Sequence, residues 1–229
     1  MKINLNPAIL YAMHNLAGKN DIRGYLNGVL FDIRPDAVIL VATDGHALGA
    51  YKLPGFEVEG GLGEFPSQFI MPLDMVKKMK PGRGDTLAQI EYDPVTTIIT
   101  ARKLTGPDMM CKALEGRFPS YNRIMPLKLS GETAQFNPEL LVKFQKFAAD
   151  AGHKVVPILS YNGEDSTLVS VDNPDFVGII MPLRMRNNEP PLKATPAWAL
   201  TTGATIVASK EAKEFVEKLN DTITDAQAA

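Results

Sequence analysis

The sequence predicts an α+β fold built by repeating one unit of strand, helix and three further strands, with antiparallel sheets and the helices on one face. Three observations predict it. Prolines 7, 72 and 138 each open an apolar-periodic run, and they stand 65 and 66 residues apart. Each run is preceded by a short extended stretch and followed by three strand-like runs. Between two of those runs, Thr43-Asp44-Gly45-His46 carries the Asp-Gly signal of a two-residue hairpin, where glycine and aspartate supply positive backbone dihedrals.

The elements follow in order. Residues 2–5 form the first strand, and Asn6-Pro7 caps and opens the first helix, an N-cap residue followed by proline at the first helical position. Runs 24–33, 37–43 and 47–53 complete the first unit. The second comprises an extended stretch at 67–70, a helix from Pro72, and strands over 87–92, 96–102 and 109–114. The third comprises 132–136, a helix from Asn137-Pro138, and strands over 154–160, 166–171 and 176–183. A fourth strand and helix start, 204–208 followed by Ser209-Lys210, lies 72 residues beyond Pro138. Two units close into one domain, so the expected organisation is a complete domain over 1–126 and a second, abbreviated or atypical one over 127–229. The proline-rich stretch 186–196 reads as an extended linker, and the polar end 220–229 as a frayed terminus.

Composition narrows the function. With 45% hydrophobic and 22% charged residues the chain is an ordinary folded protein. A net charge of −2 argues against a uniformly basic nucleic-acid glove but allows a local basic surface. Cys111 is the sole cysteine, so no intrachain disulfide forms and a reduced, cytoplasmic setting is expected. Asn4, Asn6, His14 and Asn15 break the apolar character of the start, which excludes a signal peptide, and no apolar run is long enough to cross a bilayer.

Several stretches resemble the bacterial sliding clamp, the β subunit of DNA polymerase III. Asp21-Ile22-Arg23-Gly24-Tyr25-Leu26-Asn27-Gly28-Val29-Leu30-Phe31 resembles the opening of the clamp's middle domain, and Val41-Ala42-Thr43-Asp44-Gly45-His46 continues it. Gly116-Arg117-Phe118-Pro119-Ser120-Tyr121, then Arg123-Ile124-Met125-Pro126, resembles the interdomain connector. Ile179-Ile180-Met181-Pro182-Leu183-Arg184-Met185 resembles the clamp's C-terminus. The resemblance covers about Met1 to Met185 and implies the processivity-clamp (DNA clamp) fold, whose half-domain has the strand order inferred above. There are departures. No counterpart of the clamp's first domain is visible, the Met181-Pro182-Leu183-Arg184 ending arrives one unit early, and Ala47 stands where the family usually has arginine. The third unit fits either half of its domain.

The resemblance implies a pocket that docks short peptides of polymerases and repair factors. The matching residues are Arg23, Thr43, Gly45, His46, Leu48, Pro119, Ile124, Ile179, Met181, Pro182, Leu183 and Arg184. Leu48, Ile124, Met181 and Leu183 are expected to form an apolar floor for a leucine or aromatic side chain, with methionine adapting to varied shapes, and Arg23 and Arg184 a cationic rim. It also implies helices that face duplex DNA through phosphate contacts without reading bases. Tyr25, Lys77, Lys78, Lys80, Arg83, Lys143, Lys146, Lys210 and Lys213 are the candidates.

His14, His46 and His153 are too scattered for a metal cluster. No phosphate loop, nucleophile elbow or paired-carboxylate motif occurs, and Cys111 reads as a small residue of a strand. The expected function is a non-enzymatic processivity factor that needs no cofactor, encircles duplex DNA as a homo-oligomer and docks peptides. A trimer is favoured over a dimer, because two domains per subunit give six around a hole in three copies. The alternatives are a peptide-binding module or decoy that does not encircle DNA and, as a lesser one, a hydrolase using Asp44 and His46.

Overall fold

The structure, a computed structural model, describes residues 1–54, 58–59 and 67–184. The expected linker over 186–196, the fourth strand and helix start, Lys210 and Lys213 lie outside the described residues. The two units that precede residue 127 interlock by exchanging their first strands. β1 (Lys2–Leu5) leaves its own unit and pairs antiparallel with β7 (Ala88–Asp93), which continues through β8 (Ile98–Lys103) to β9 (Met109–Lys112). In return β6 (Ser67–Pro72) of the second unit pairs along its whole length with β2 (Gly28–Ile33) of the first, beside β3 (Val38–Thr43) and β4 (Ala47–Lys52). A short β5 (Val58–Glu59), which the sequence does not announce, pairs with the free side of β1.

The third unit extends the second sheet rather than starting a separate one. β12 (Phe176–Ile180) pairs antiparallel with β4, setting Ile179 opposite Leu48 and Gly178 opposite Gly49, and β11 (Thr167–Ser170) and β10 (Ile158–Ser160) follow outward. Among the described residues the result is a seven-stranded sheet ordered β10-β11-β12-β4-β3-β2-β6 and a five-stranded sheet ordered β5-β1-β7-β8-β9.

The helices pack as one layer, α1 (Pro7–Ala12) lying between α2 (Leu73–Lys78) and α3 (Pro138–Asp150). Two start as the sequence predicts. The Asn6 carboxamide accepts the Ala8 N–H at 2.9 Å and the Asn137 carboxamide accepts the Glu139 N–H at 3.0 Å, each with proline next. The second differs. Pro72 ends β6 and occupies the N-cap without a side-chain bond, and the Leu73 N–H is satisfied by the Asn27 carbonyl at 2.9 Å.

Strand alternation separates two clusters. On the inner face Ala47, Tyr51, Phe176 and Ile180 join Phe144 and Phe147 of α3 and the helices' apolar residues in one core shared by both sheets. A stack of Phe31, Phe69 and Tyr92, with centroids 4.6 and 4.3 Å apart, links the sheets. On the outer face Leu48, Ala50, Val41, Ile179 and Ile70 form a second cluster. Several readings are corrected. The expected strands 154–160 and 176–183 shorten to Ile158–Ser160 and Phe176–Ile180. Residues 24–26 form a 3-10 turn, so β2 begins at Gly28. The stretch 132–136 takes no strand pairing. It is tied instead by single bonds, Gln135 O accepting from Leu183 N at 2.7 Å and Glu132 O from Gly163 N at 2.8 Å.

Candidate functional site

The candidate site lies where the β3–β4 hairpin meets the end of β12. The turn is Gly45-His46, flanked by Asp44 and Ala47, whose backbones bond at 3.2 Å. Only Gly45 takes a positive φ, +93°, so the sequence reading that shared this role with Asp44 is corrected. Asp44 instead acts through its side chain. One carboxylate oxygen accepts the N–H groups of His46 and Ala47, both at 2.8 Å, and the other pairs with the Lys143 ammonium of α3. Thr43 completes the turn, its hydroxyl donating to the Ala47 carbonyl at 2.8 Å and accepting from Gly45 N at 3.0 Å. Burial alone would raise the Asp44 carboxyl, but the Ala47 N–H, the Lys143 ammonium and the His46 N–H together hold it below its ordinary value.

Around this turn the structure gathers residues far apart in sequence. Arg23 is pinned to Asp21 by a two-pronged ion pair at 2.7 and 2.9 Å, which pulls the Asp21 carboxyl down to about 2. The Arg23 guanidinium lies over Gly45, where a Cβ would come within 3.0 Å of it, and reaches the Asp44 carbonyl at 3.4 Å. From the other side Met181 N donates to the His46 carbonyl at 2.9 Å. Arg23, Thr43, Gly45, His46, Leu48, Ile179 and Met181 are thus brought together. Leu48 and Ile179 are buried in the outer cluster, while His46 and Leu183 stand exposed. Pro182 is half-buried and Arg184 exposed at the end of the described chain.

The connector packs on the same cluster. Phe118 and Tyr121 enter the outer cluster with Leu48 and Ile179, and Ile124, which is exposed, is held by its carbonyl accepting from the Ser166 hydroxyl at 2.9 Å. Pro119 faces a different space, a cleft of about 320 Å³ that it shares with Asp32, Arg34, Gln68 and Tyr121. There the connector is locked. The Tyr121 hydroxyl donates to buried Asp32 at 2.7 Å, Gln68 donates to the same carboxylate at 2.7 Å, and Arg34 donates to it at 2.8 Å and to the tyrosine oxygen at 2.6 Å. Burial and the bond to Asp32 push the Tyr121 phenol well up.

Three contributors escape a reading of the sequence, Tyr121 of the connector among them. Leu26 is buried in the outer cluster because residues 24–26 form a turn, not a strand, and that turn aims it there. Phe118, between Arg117 and Pro119, also enters the cluster, and an aromatic in a connector is the signal that could have found it.

The candidate DNA-facing residues divide. Lys77, Lys78, Lys80 and Arg83 are exposed on and just beyond α2, with Lys77 loosely paired to Asp74 at 3.9 Å and Lys80 over the Tyr11 ring. Lys146 is exposed on α3, whereas Lys143 of the same helix is committed to Asp44. Tyr25 packs on the outer cluster and against Gly116, so it stands on a different layer from the lysines. For hydrolytic chemistry the Asp44–His46 geometry is unhelpful, because the carboxylate meets His46 through its backbone N–H. Cys111 lies in β9, half-buried, with burial pushing its thiol up. Among the described residues no helix is long and apolar enough to cross a membrane.

No family model matches the chain. The β sliding clamp of Vibrio cholerae is 26% identical over 159 residues, which is 68% of this chain and 41% of that protein. The Escherichia coli K12 clamp is 26% identical over 162 residues, with the same coverage, and that of Proteus mirabilis 31% over 108 residues, 46% of this chain and 28% of that one. The chain therefore spans about two-fifths of the length of the first relatives it matches. Among solved structures, the DNA polymerase III β subunit of Pseudomonas aeruginosa superposes with a TM-score of 0.59 at 18% identity, over 81% of this chain and 67% of that one. That of Borrelia burgdorferi gives 0.61 at 14%, over 81% and 64%. The interlocked sheets, the helix layer and the residue matches agree: the chain is a homologue of the bacterial β sliding clamps, the β subunits of DNA polymerase III.

Proposed function

We propose that this chain is a non-enzymatic, sliding-clamp-like processivity factor that encircles duplex DNA as a homo-oligomer and docks short peptides of polymerase or repair proteins at the junction of β4 and β12. One observation carries the reading. That junction joins Arg23, the 43–46 turn and Leu48 to Ile179 and Met181, residues more than 130 positions away in sequence, with exposed Leu183 beside them. A buried apolar base flanked by exposed His46 and Leu183 suits a leucine or aromatic anchor, and Arg23 suits acidic residues or carbonyls of the incoming chain. The relatives named as clamps and the shared fold support it.

In this reading residues 1–126 are a complete clamp domain and 127–229 a second, atypical one, and three copies close the ring. Lys77, Lys78, Lys80, Arg83 and Lys146 face the DNA backbone, giving sequence-blind, salt-sensitive contacts. The docking half is tested with two exposed positions. Leu183→Asp and His46→Glu are each expected to abolish binding of a labelled peptide bearing leucine and phenylalanine between acidic residues, with circular dichroism unchanged. Unaltered affinity in either folded variant contradicts the assignment.

A second reading keeps the docking site without the ring. The docking residues named above all lie on one chain within residues 1–184, so peptide capture requires no second subunit. Light scattering at micromolar concentration favours this reading if it finds a monomer and the ring if it finds a trimer.

A further inference from the structure

Lys143 could serve in either of two ways, as a phosphate contact on the helix layer or as a partner for the hairpin turn. Its surroundings decide between them. α3 is fixed to the β4–β12 junction by neighbouring residues. Phe144 fills the space that Gly178 leaves open, where a Cβ would lie 2.5 Å from its ring, and Phe147 stacks on Phe176 at 4.3 Å. The Asn15 carboxamide donates to Asp150 at 2.7 Å and ties the helix end to the first unit. The lysine stem therefore leaves a rigid base. Its side chain is 28% exposed and that of Asp44 16% exposed, so the pair is shielded more than a surface ion pair.

Asp44 is the node of the turn. Its second oxygen holds the His46 and Ala47 N–H groups, its carbonyl meets Arg23, and His46 in turn receives Met181 N. A half-buried carboxylate without its ammonium partner would turn toward water and release those N–H groups. We propose that Lys143 is a positioning residue for the peptide-docking wall: by pairing with Asp44 it holds the 44–47 turn and so sets where His46 and Leu48 meet an incoming peptide. The proposal rests on the docking reading above. It assigns to the docking wall a lysine that its place on α3 would give to the DNA.

The test uses the full chain. In Lys143→Met the affinity for the labelled leucine–phenylalanine peptide falls about fivefold or more, while Lys143→Arg stays near wild type, and Asp44→Asn combined with Lys143→Met is no weaker than Lys143→Met alone, because the two side chains act as one unit. Duplex DNA affinity is unchanged in Lys143→Met and falls in Lys146→Met. Amide hydrogen exchange at His46 and Ala47 accelerates in Lys143→Met, a readout that needs no peptide. A folded Lys143→Met with wild-type peptide affinity overturns the proposal, as does one that loses DNA binding alone. If the wild-type chain binds no peptide, the docking reading fails by itself, and unchanged exchange at His46 and Ala47 then overturns the positioning role too. Asp44→Asn, which keeps the acceptor and removes the charge, serves where Lys143→Met does not fold.

Discussion

Tyr121 shows how one side chain fixes a long connector. Its hydroxyl joins Arg34 and Gln68 on the carboxylate of Asp32, which is buried in β2. Burial works to raise the Asp32 carboxyl, yet the bonds from Gln68, Tyr121 and Arg34 hold it below its ordinary value. A folded-state pKa below the unfolded one means that the unfolded chain takes up more protons in acid. The stabilisation is then complete above about pH 4 and is lost as the pH falls through the unfolded pKa toward the folded one. Asp44, depressed in the same direction, adds to this slope. Urea unfolding between pH 6 and pH 3 is expected to show stability falling with acid, and Asp32→Asn is expected to flatten that slope. Tyr121→Phe leaves the carboxylate short of a donor and should cost about 1–3 kcal/mol at pH 7. A slope unaffected by Asp32→Asn would remove the network from the account. Little of this was legible in sequence. Asp32 sits in a strand buried on both faces, which gives no alternation to mark it, and its partner lies 89 positions away. The 43–46 turn was legible because Asp-Gly is a local signal, although which residue takes the positive dihedral was not.

The junction of β4 and β12 depends on two glycines placed directly opposite each other, Gly49 and Gly178. Both face inward. A Cβ at Gly49 would lie 2.3 Å from the Leu16 side chain and one at Gly178 2.5 Å from Phe144, so the absence of side chains lets the first helix's end and α3 close on the sheet. Gly178→Val is expected to destabilise by about 1–3 kcal/mol through overpacking, and to weaken peptide docking because Ile179 and Met181 follow directly along the chain. A denaturation midpoint equal to wild type would contradict that packing. Elements with local signals were readable. Pro7 and Pro138 with their asparagine caps gave the first and third helices, and the strand runs gave most of the sheet. Strand exchange between units was not readable, since which edge a strand joins is decided by tertiary pairing. The 132–136 stretch misled because the repeat calls for a strand before the third helix, while only isolated bonds at Glu132 and Gln135 receive it.

The molecule as a whole displays the two-unit logic that the proline spacing announced, with a third unit carried on the same sheet. A topological tether needs little intrinsic affinity for DNA, which suits a chain of net charge −2 whose exposed lysines include Lys77 and Lys78 of α2 and Lys146 of α3. Replacing Lys77, Lys78 and Lys80 together by glutamine should lower DNA affinity and flatten its dependence on salt, by about 0.9 in the log–log slope for each phosphate that the protein no longer neutralises. An unchanged slope would take α2 out of the DNA-facing surface. The most direct test of the clamp reading loads the protein onto duplex DNA and compares retention on closed circles with retention after one cut that leaves free ends. A ring remains on the circles and slides off the linear molecules, as this account predicts. Equal retention on both would contradict encirclement.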